Sequence, residues 1–600
     1  MQQNLIPLIV PLTIVFCGCS EVGPPTPKGD LADMDQATYD MNVEPPCTPL
    51  SSSEVCIASS CGMQSDGCGG VVECEPCRCE NSAPVTPNCG PCNLGTPSCD
   101  ERGNLTCLLP PIPNIETLDC EVDLVYVQDN SEGGLERGTR EAPFKSLKDA
   151  TTAANANGSR AIVIRGEGMY EEGPYVIEGS VSLVGGYGED WRYEPSIRPT
   201  LSNQIEEDQD SIAIEVRNVT SPAVFANIII RSKDAPPSRT SYALIADTAN
   251  RLVIVDTDIF AGRGGIPDPV PPQTEGRALN GLPGPSGKAG QKLESGGSYT
   301  CAPPGQFGTL VDPNAPLPCE DPLTKGGEGG AGGCETTMAT PGENSAQGAK
   351  GGVSGNGLDQ TPQDGEDGRN TAGDGAYGQG GIRGFVSGNR WLTIGYGEDG
   401  EPGQPGVGGG GGGGAAMTSS EPYLNGPSGG TGGAGGCGGA AGLGGGPGGS
   451  SFGLFVVNTI GLQVINSHIQ SADAGSGASG SNGGFGGLGA KGGSGSSRAC
   501  EVKSGPFGTD DERNCTELPF KSGDGGDGAN GLDGGPGGGG AGGDSVGIFC
   551  HMSNIAIAAS VSITNGSAGS GADGGTYPGG NSLPEGRGEQ GIAANTIECD

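Results

Sequence analysis

The sequence predicts an all-β chain: a solenoid of short strands, broken by long Gly-rich loop insertions and preceded by a small disulfide-rich module. Three observations predict it. Four 25-residue windows, 211–235, 241–265, 451–475 and 545–569, align without gaps. Glycine makes up 120 of 600 residues and aromatics only 4%, which excludes one large close-packed core. Of the 22 cysteines, twelve fall within residues 47–120, where few apolar side chains are available to stabilise a fold.

The charge narrows the function classes before any motif is read. A formal net charge of −40 repels phosphate backbones, which excludes nucleic acid as the main partner. Two histidines, His468 and His551, are too few for most His-based metal or triad chemistry. No cofactor or metal ligand set is evident.

Taken in order, residues 1–18 read as a signal peptide. Leu5 to Phe16 is apolar but too short to span a bilayer. The run Phe16-Cys17-Gly18-Cys19-Ser20 resembles the lipobox of bacterial lipoproteins. That resemblance implies cleavage after Gly18 and lipidation of Cys19, with Cys17 lost; an ordinary secretory signal cut nearby is the alternative. Residues 19–46, with Pro24, Pro25, Pro27, Pro45 and Pro46, read as a disordered, lipid-anchored tether.

Residues 47–120 form the cysteine module. A core that small cannot offset chain entropy, so disulfides are expected, with connectivity open. Cys74-x2-Cys77 and Cys89-x2-Cys92 resemble a four-thiolate zinc spacing, but an oxidising compartment favours disulfides. Cys89-Gly90-Pro91-Cys92 matches the thioredoxin tetrapeptide without the helix that lowers the first thiol's pKa.

Residues 121–265 open the solenoid. Leu124-Val125-Tyr126-Val127 is β-prone. Ser146 can then cap a helix burying Leu147, Ala150, Thr151 and Ala154, which Gly158 ends. Three β-like runs follow: Ala161–Ile164, Tyr175–Ile177 and Val181–Val184. This order, with its Pro143-Phe144-Lys145-Ser146-Leu147 entry to the helix, resembles pectin-lyase-like proteins of uncharacterised secreted bacterial families. The resemblance implies a right-handed parallel β-helix, a fold that hosts lyases, hydrolases, adhesins and passive scaffolds.

The windows give the register. Their fourth position holds Ile214, Leu244, Leu454 and Ile548, and the nineteenth holds Ile229, Ile259, Ile469 and Ile563. Leu252 and Ile254 match Leu462 and Val464, the alternation of strands with one buried face. The last window departs, with Ile555 and Ile557 one position early, and the first matches worst at Ser221-Pro222. Rungs at 451–475 and within 545–600 are therefore separated from 121–265 by Gly-rich insertions at 266–450 and 476–544. Collagen-like triplets at Gly281–Gly290 and Gly397–Gly406 are too short for a triple helix and read as local polyproline II. Cys301, Cys319, Cys334, Cys437, Cys500 and Cys515 are expected to clip these loops.

Catalytic signals are sparse. Gly426-Pro427-Ser428-Gly429-Gly430 fits a nucleophile-elbow pattern but lacks the strand and helix that the elbow needs. Asp256 and Asp258, with Arg263 nearby, are the candidates on a rung; outward solvated carboxylates at a turn are the plainer reading. Asp-Gly steps at Asp364, Asp367, Asp399, Asp524, Asp527 and Asp573 build no nonapeptide calcium array. The expectation is a non-enzymatic exported surface lipoprotein, a structural or adhesive scaffold displaying Gly-rich loops. It would be anchored by lipid to the cell envelope, at the outer membrane or cell surface, with a surface glycan or protein as ligand. A polysaccharide lyase or hydrolase on the same β-helix is the alternative.

Overall fold

The computed structural model describes residues 51, 53, 63–65, 71–73 and 89–599, with breaks at 100–104, 130–135, 273–276, 296–297, 302–318, 320–323, 335–337, 347, 356–360, 418–423, 505–509 and 581–585. The signal segment, Cys17, Cys19, the tether and the cysteines from Cys47 to Cys79 lie outside the described residues. Met1–Glu75 and Pro76–Asp600 are two compact units. In the first, Met63–Ser65 pairs antiparallel with Val71–Glu73.

The second unit is all-β apart from short helices, and its body is three parallel sheets. The first sheet holds, in order of pairing, Leu124–Gln128, Ala161–Arg165, Ser182–Tyr187, Ala223–Ala226, Leu252–Val255, Ile460–Ile465 and Asn554–Ile557. The second holds Met169–Gly173, Thr200–Asn203, Ile229–Arg231, Asp258–Phe260, His468–Gln470 and Ser562–Thr564. The third holds Tyr175–Glu178, Ser211–Arg217, Ser241–Asp247, Ser451–Val457, Ser545–His551 and Ala593–Ile597. From Ala161 onward the chain visits the sheets in fixed rotation. The inward residues of all three form one apolar core, including Ile164, Tyr170, Ile177, Ile214 and Ile230.

Register follows the repeat, with one correction. Ile214, Leu244, Leu454 and Ile548 pair in succession and are fully buried, as the fourth window position predicts. Ile259, Ile469 and Ile563 also pair in succession, with Ile563 packed at the edge of the core. In the first window, however, Ile230 and not Ile229 pairs with Ile259, because one extra residue lies between Arg217 and Ala223. That places the insertion around Ser221-Pro222, where the windows match worst. In the last window Ile555 and Ile557 do pair with Leu462 and Val464, and the missing residue is absorbed by a bulge at Gly461, where φ is +84. The corners between sheets use left-handed residues, for instance Asn218, Thr248, Asn458 and Met552 on leaving the third sheet.

The helix Leu147–Asn157 forms as its caps dictate. The Ser146 hydroxyl accepts the Asp149 N–H at 3.1 Å, and Gly158 closes the helix at φ 67. Leu147, Ala150, Thr151 and Ala154 are buried. Leu94 and Ile112 pack on the outer face of the first sheet, where they meet Tyr126, Tyr187, Trp191 and Tyr193.

The described segments of the Gly-rich insertions are ordered. Their segments run side by side and bond in steps of three. Gly397, Gly400, Gly403 and Gly406 donate to the carbonyls of Gly445, Gly442, Gly439 and Gly436. Parallel to this, Gly430, Gly433, Gly436 and Gly439 donate to Gly523, Gly526, Ala529 and Leu532. A three-residue repeat with no bonds inside a segment is the pattern of polyproline II helices bonding to their neighbours. Glycine permits it by close approach: a Cβ on Gly534 would lie 2.0 Å from the Ala440 oxygen. The interior of this bundle is therefore paired backbone in place of apolar side chains. The collagen-like triplets at Gly281–Gly290 and Gly397–Gly406 are two of its members.

Disulfides join distant parts. Cys319–Cys437 closes a 118-residue separation, Cys500–Cys515 clips the second insertion, and Cys550–Cys599 ties the last rung to the tail. Cys334 is disulfide-bonded too. Such linkages point to an oxidising, extracytoplasmic environment. Among the described residues no helix is long and apolar enough to cross a membrane.

Candidate functional site

The candidate site is a cleft of about 940 Å³ where the sheet body, the first insertion and the glycine bundle meet. Its position follows from a hairpin, Phe385–Ser387 with Arg390–Leu392, that leaves the insertion and lies on the outer face of the third sheet. That face carries Tyr242, Phe452, Phe455 and Phe549, which are buried under the hairpin. Trp391 packs on Phe452 and Phe549 at centroid distances of 5.6 and 5.4 Å, and its backbone N–H donates to the Tyr242 hydroxyl at 2.9 Å.

Charge locks the hairpin. Arg390 forks onto Glu215 at 2.6 and 3.0 Å, Asn389 adds a bond at 3.1 Å, and Arg217 approaches from the same strand at 2.6 Å. The Glu215 side chain is only 4% exposed. Burial alone would raise its carboxyl, but the hydrogen bonds and charges of Arg390 and Arg217 outweigh burial and hold it below the usual carboxylate range.

Beside this lock, two loops supply carboxylates. Glu207, Asp208 and Asp210 precede the strand Ser211–Arg217, and Asp234 precedes Ser241–Asp247. Asp268, at the start of the insertion, is the fifth. Asp210 accepts the Thr240 N–H at 3.0 Å; burial pushes its carboxyl up, against the pull of that bond and of Arg239 and Arg390. Asp234 accepts the Arg263 backbone N–H at 2.7 Å. Pro236, Pro237, Pro267, Leu392 and Tyr396 form apolar walls, with Tyr396 62% exposed. The arrangement offers carboxylates for a positive group beside a surface for an apolar body.

The sequence candidates lie elsewhere. Cys19 is outside the described residues. Asp256 occupies a left-handed corner at φ 49, bonded to Asn466, while Asp258 heads the next strand and pairs with Arg198 at 2.8 Å. Strand alternation does not carry across that corner, and Arg263 meets Asp234 through its backbone N–H. Ser428 is buried in the bundle, where its hydroxyl accepts the Lys288 N–H at 2.8 Å, so no elbow forms. Cys89 pairs with Cys107 and Cys92 with Cys120, which removes both the thioredoxin and the zinc use of those thiols.

Several Asp-Gly carboxylates are backbone acceptors. Asp524 and Asp527 take the N–H groups of Gly495 and Gly492, and Asp364 and Asp367 take those of Asp524 and Asp527. Among the described residues no group of three or more His, Cys, Asp or Glu is placed to hold a metal ion. Sequence reasoning missed the Glu215–Arg390–Trp391 lock, although Trp391, one of two tryptophans in the chain, stands out in a glycine-rich stretch. Comparison with family models, curated proteins and solved structures returned no match.

Proposed function

We propose that this chain is a non-enzymatic exported surface lipoprotein, a scaffold whose glycine bundle and cleft are displayed on a right-handed parallel β-helix. The three sheets would be the faces of that helix, and Cys19 would carry the anchor. The observation that supports display most is the bundle itself. Two insertions that could have been loose loops are bonded to each other and to the rungs, as where the Gly475 N–H donates to the Gly449 carbonyl and the Gly449 N–H donates in turn to that of Gly265. A rigid platform of that kind presents fixed side chains without the entropy cost of ordering a loop on contact.

The test is cell fractionation with surface labelling. Antibody against residues 361–374, an exposed stretch of the first insertion, should label intact cells, and Cys19→Ser should move the full chain from the membrane to the soluble fraction. Absence of label on intact cells, or a Cys19→Ser protein still held by acyl chains, would contradict the reading.

One observation favours the carbohydrate-active alternative: Asp210, with its raised pKa, shares the cleft with Arg239. A lyase needs a counter-ion for the substrate carboxylate, but five carboxylates around one uncommitted arginine repel a polyuronate. Unsaturated products from pectate or alginate that vanish in Asp210→Asn would promote that alternative.

A further inference from the structure

We infer that the cleft beside the hairpin binds a cationic polypeptide segment, one that alternates lysine or arginine with apolar side chains. The inference extends the display reading by naming what the scaffold holds. Charge complementarity carries it. Glu207, Asp208, Asp210, Asp234 and Asp268 line one cleft, and none takes part in an ion pair among the described residues. Of the two arginines there, Arg390 is committed to Glu215 through both guanidinium nitrogens, leaving Arg239 alone against five carboxylates.

The walls decide between a bare polycation and a peptide. Ile205, Leu392 and Tyr396 are 52, 42 and 62% exposed at the cleft, and three prolines complete the apolar lining. A free polyamine has methylene links but no side chains to place against them. A peptide that interleaves basic and apolar side chains offers both a charge for the carboxylates and an apolar body for the prolines and Tyr396. At about 940 Å³ the space is at the large end for small-molecule sites, which suits a short run of residues. Because the hairpin and the first insertion build two of the walls, the site exists only once the insertion is docked.

The experiment uses the full chain in mild detergent and fluorescence anisotropy of a labelled octapeptide of alternating lysine and leucine. Asp208→Asn/Asp234→Asn/Asp268→Asn should weaken binding by about tenfold or more. Glu116→Gln/Glu141→Gln/Glu398→Gln, which removes the same charge from exposed sites elsewhere, should change it by less than about twofold. Ala235→Trp fills the cleft without altering charge and should also abolish binding. Equal losses in both triple variants would overturn the inference, as diffuse attraction to a −40 chain would then suffice. Spermine binding as tightly as the peptide would overturn the polypeptide assignment. Neither result depends on Cys19, so the cleft and the anchor fail separately.

Discussion

A single methyl group placed inside the glycine bundle should cost as much as truncating a large core side chain. In Gly534→Ala the new Cβ would stand 2.0 Å from the Ala440 oxygen and 2.6 Å from its carbon, both backbone atoms. An ordinary contact begins near 3.4 Å, so one segment must retreat by about 1.4 Å. That retreat breaks the bond from Gly534 N–H to Gly484 and threatens the one from Gly439 to Leu532, each 2.9 Å long. Each lost bond removes ~1 kcal/mol, and a buried group left unpaired costs ~1–3 kcal/mol. The smaller unfolded-state entropy of alanine returns only ~0.4–1 kcal/mol. The expected net loss is about 2–5 kcal/mol, read as a lowered Tm by calorimetry with disulfides intact. Gly373→Ala is the control: a Cβ there meets nothing within 4 Å, and the change should stay within about 0.5 kcal/mol of wild type or stabilise slightly. If both variants melt alike, close backbone approach does not hold the bundle together.

Three further outcomes follow from the same geometry. Arg390→Ala removes the fork from a carboxylate that is 4% exposed but leaves Arg217 in place, so the loss should be about 3 kcal/mol, near the low end for a broken buried pair. The Glu215 carboxyl is held below its unfolded value, so its contribution is present above that value and fades as pH falls through the folded one; the gap between wild type and Arg390→Ala should therefore close in acid. Asp544 runs the other way: burial raises its carboxyl, so Asp544→Asn should gain relative stability as pH rises through that raised value, measured by unfolding at stepped pH. Ile469→Asp, at a fully buried position, should place an unpaired charge in the core and cost several kcal/mol by the same calorimetry.

The rung pattern was legible because its signal is local. Strand alternation and the fourth-position apolar residue survive insertions of any length, so Leu244 could be matched to Leu454 across the whole first insertion. The one-residue error at Ile229 arose where the backbone breaks its own period, at Ser221-Pro222, while the offset visible at Ile555 is the residue that Gly461 absorbs at positive φ. The bundle was half legible. Its triplets announced polyproline II, but their partners lie far away in sequence, as when Gly281 donates to Leu488, and glycine has no side chain to record a pairing. The cleft was the least legible part. Asp210, Asp234 and Asp268 lie at the ends of neighbouring turns, but they line a cleft only because a hairpin from the insertion returns to the third sheet and supplies Arg390, Trp391 and Leu392, and the lock that fixes it pairs Glu215 with Arg390 across 175 positions.

Amide hydrogen exchange across the two insertions is the most direct test of the central claim that they are ordered. The amides of Gly430, Gly433 and Gly436, bonded to Gly523, Gly526 and Ala529, should be protected to nearly the same degree as those of the strand Ser451–Val457. Exchange of those glycines at the rate of an unstructured chain, while the strand stays protected, would contradict the account.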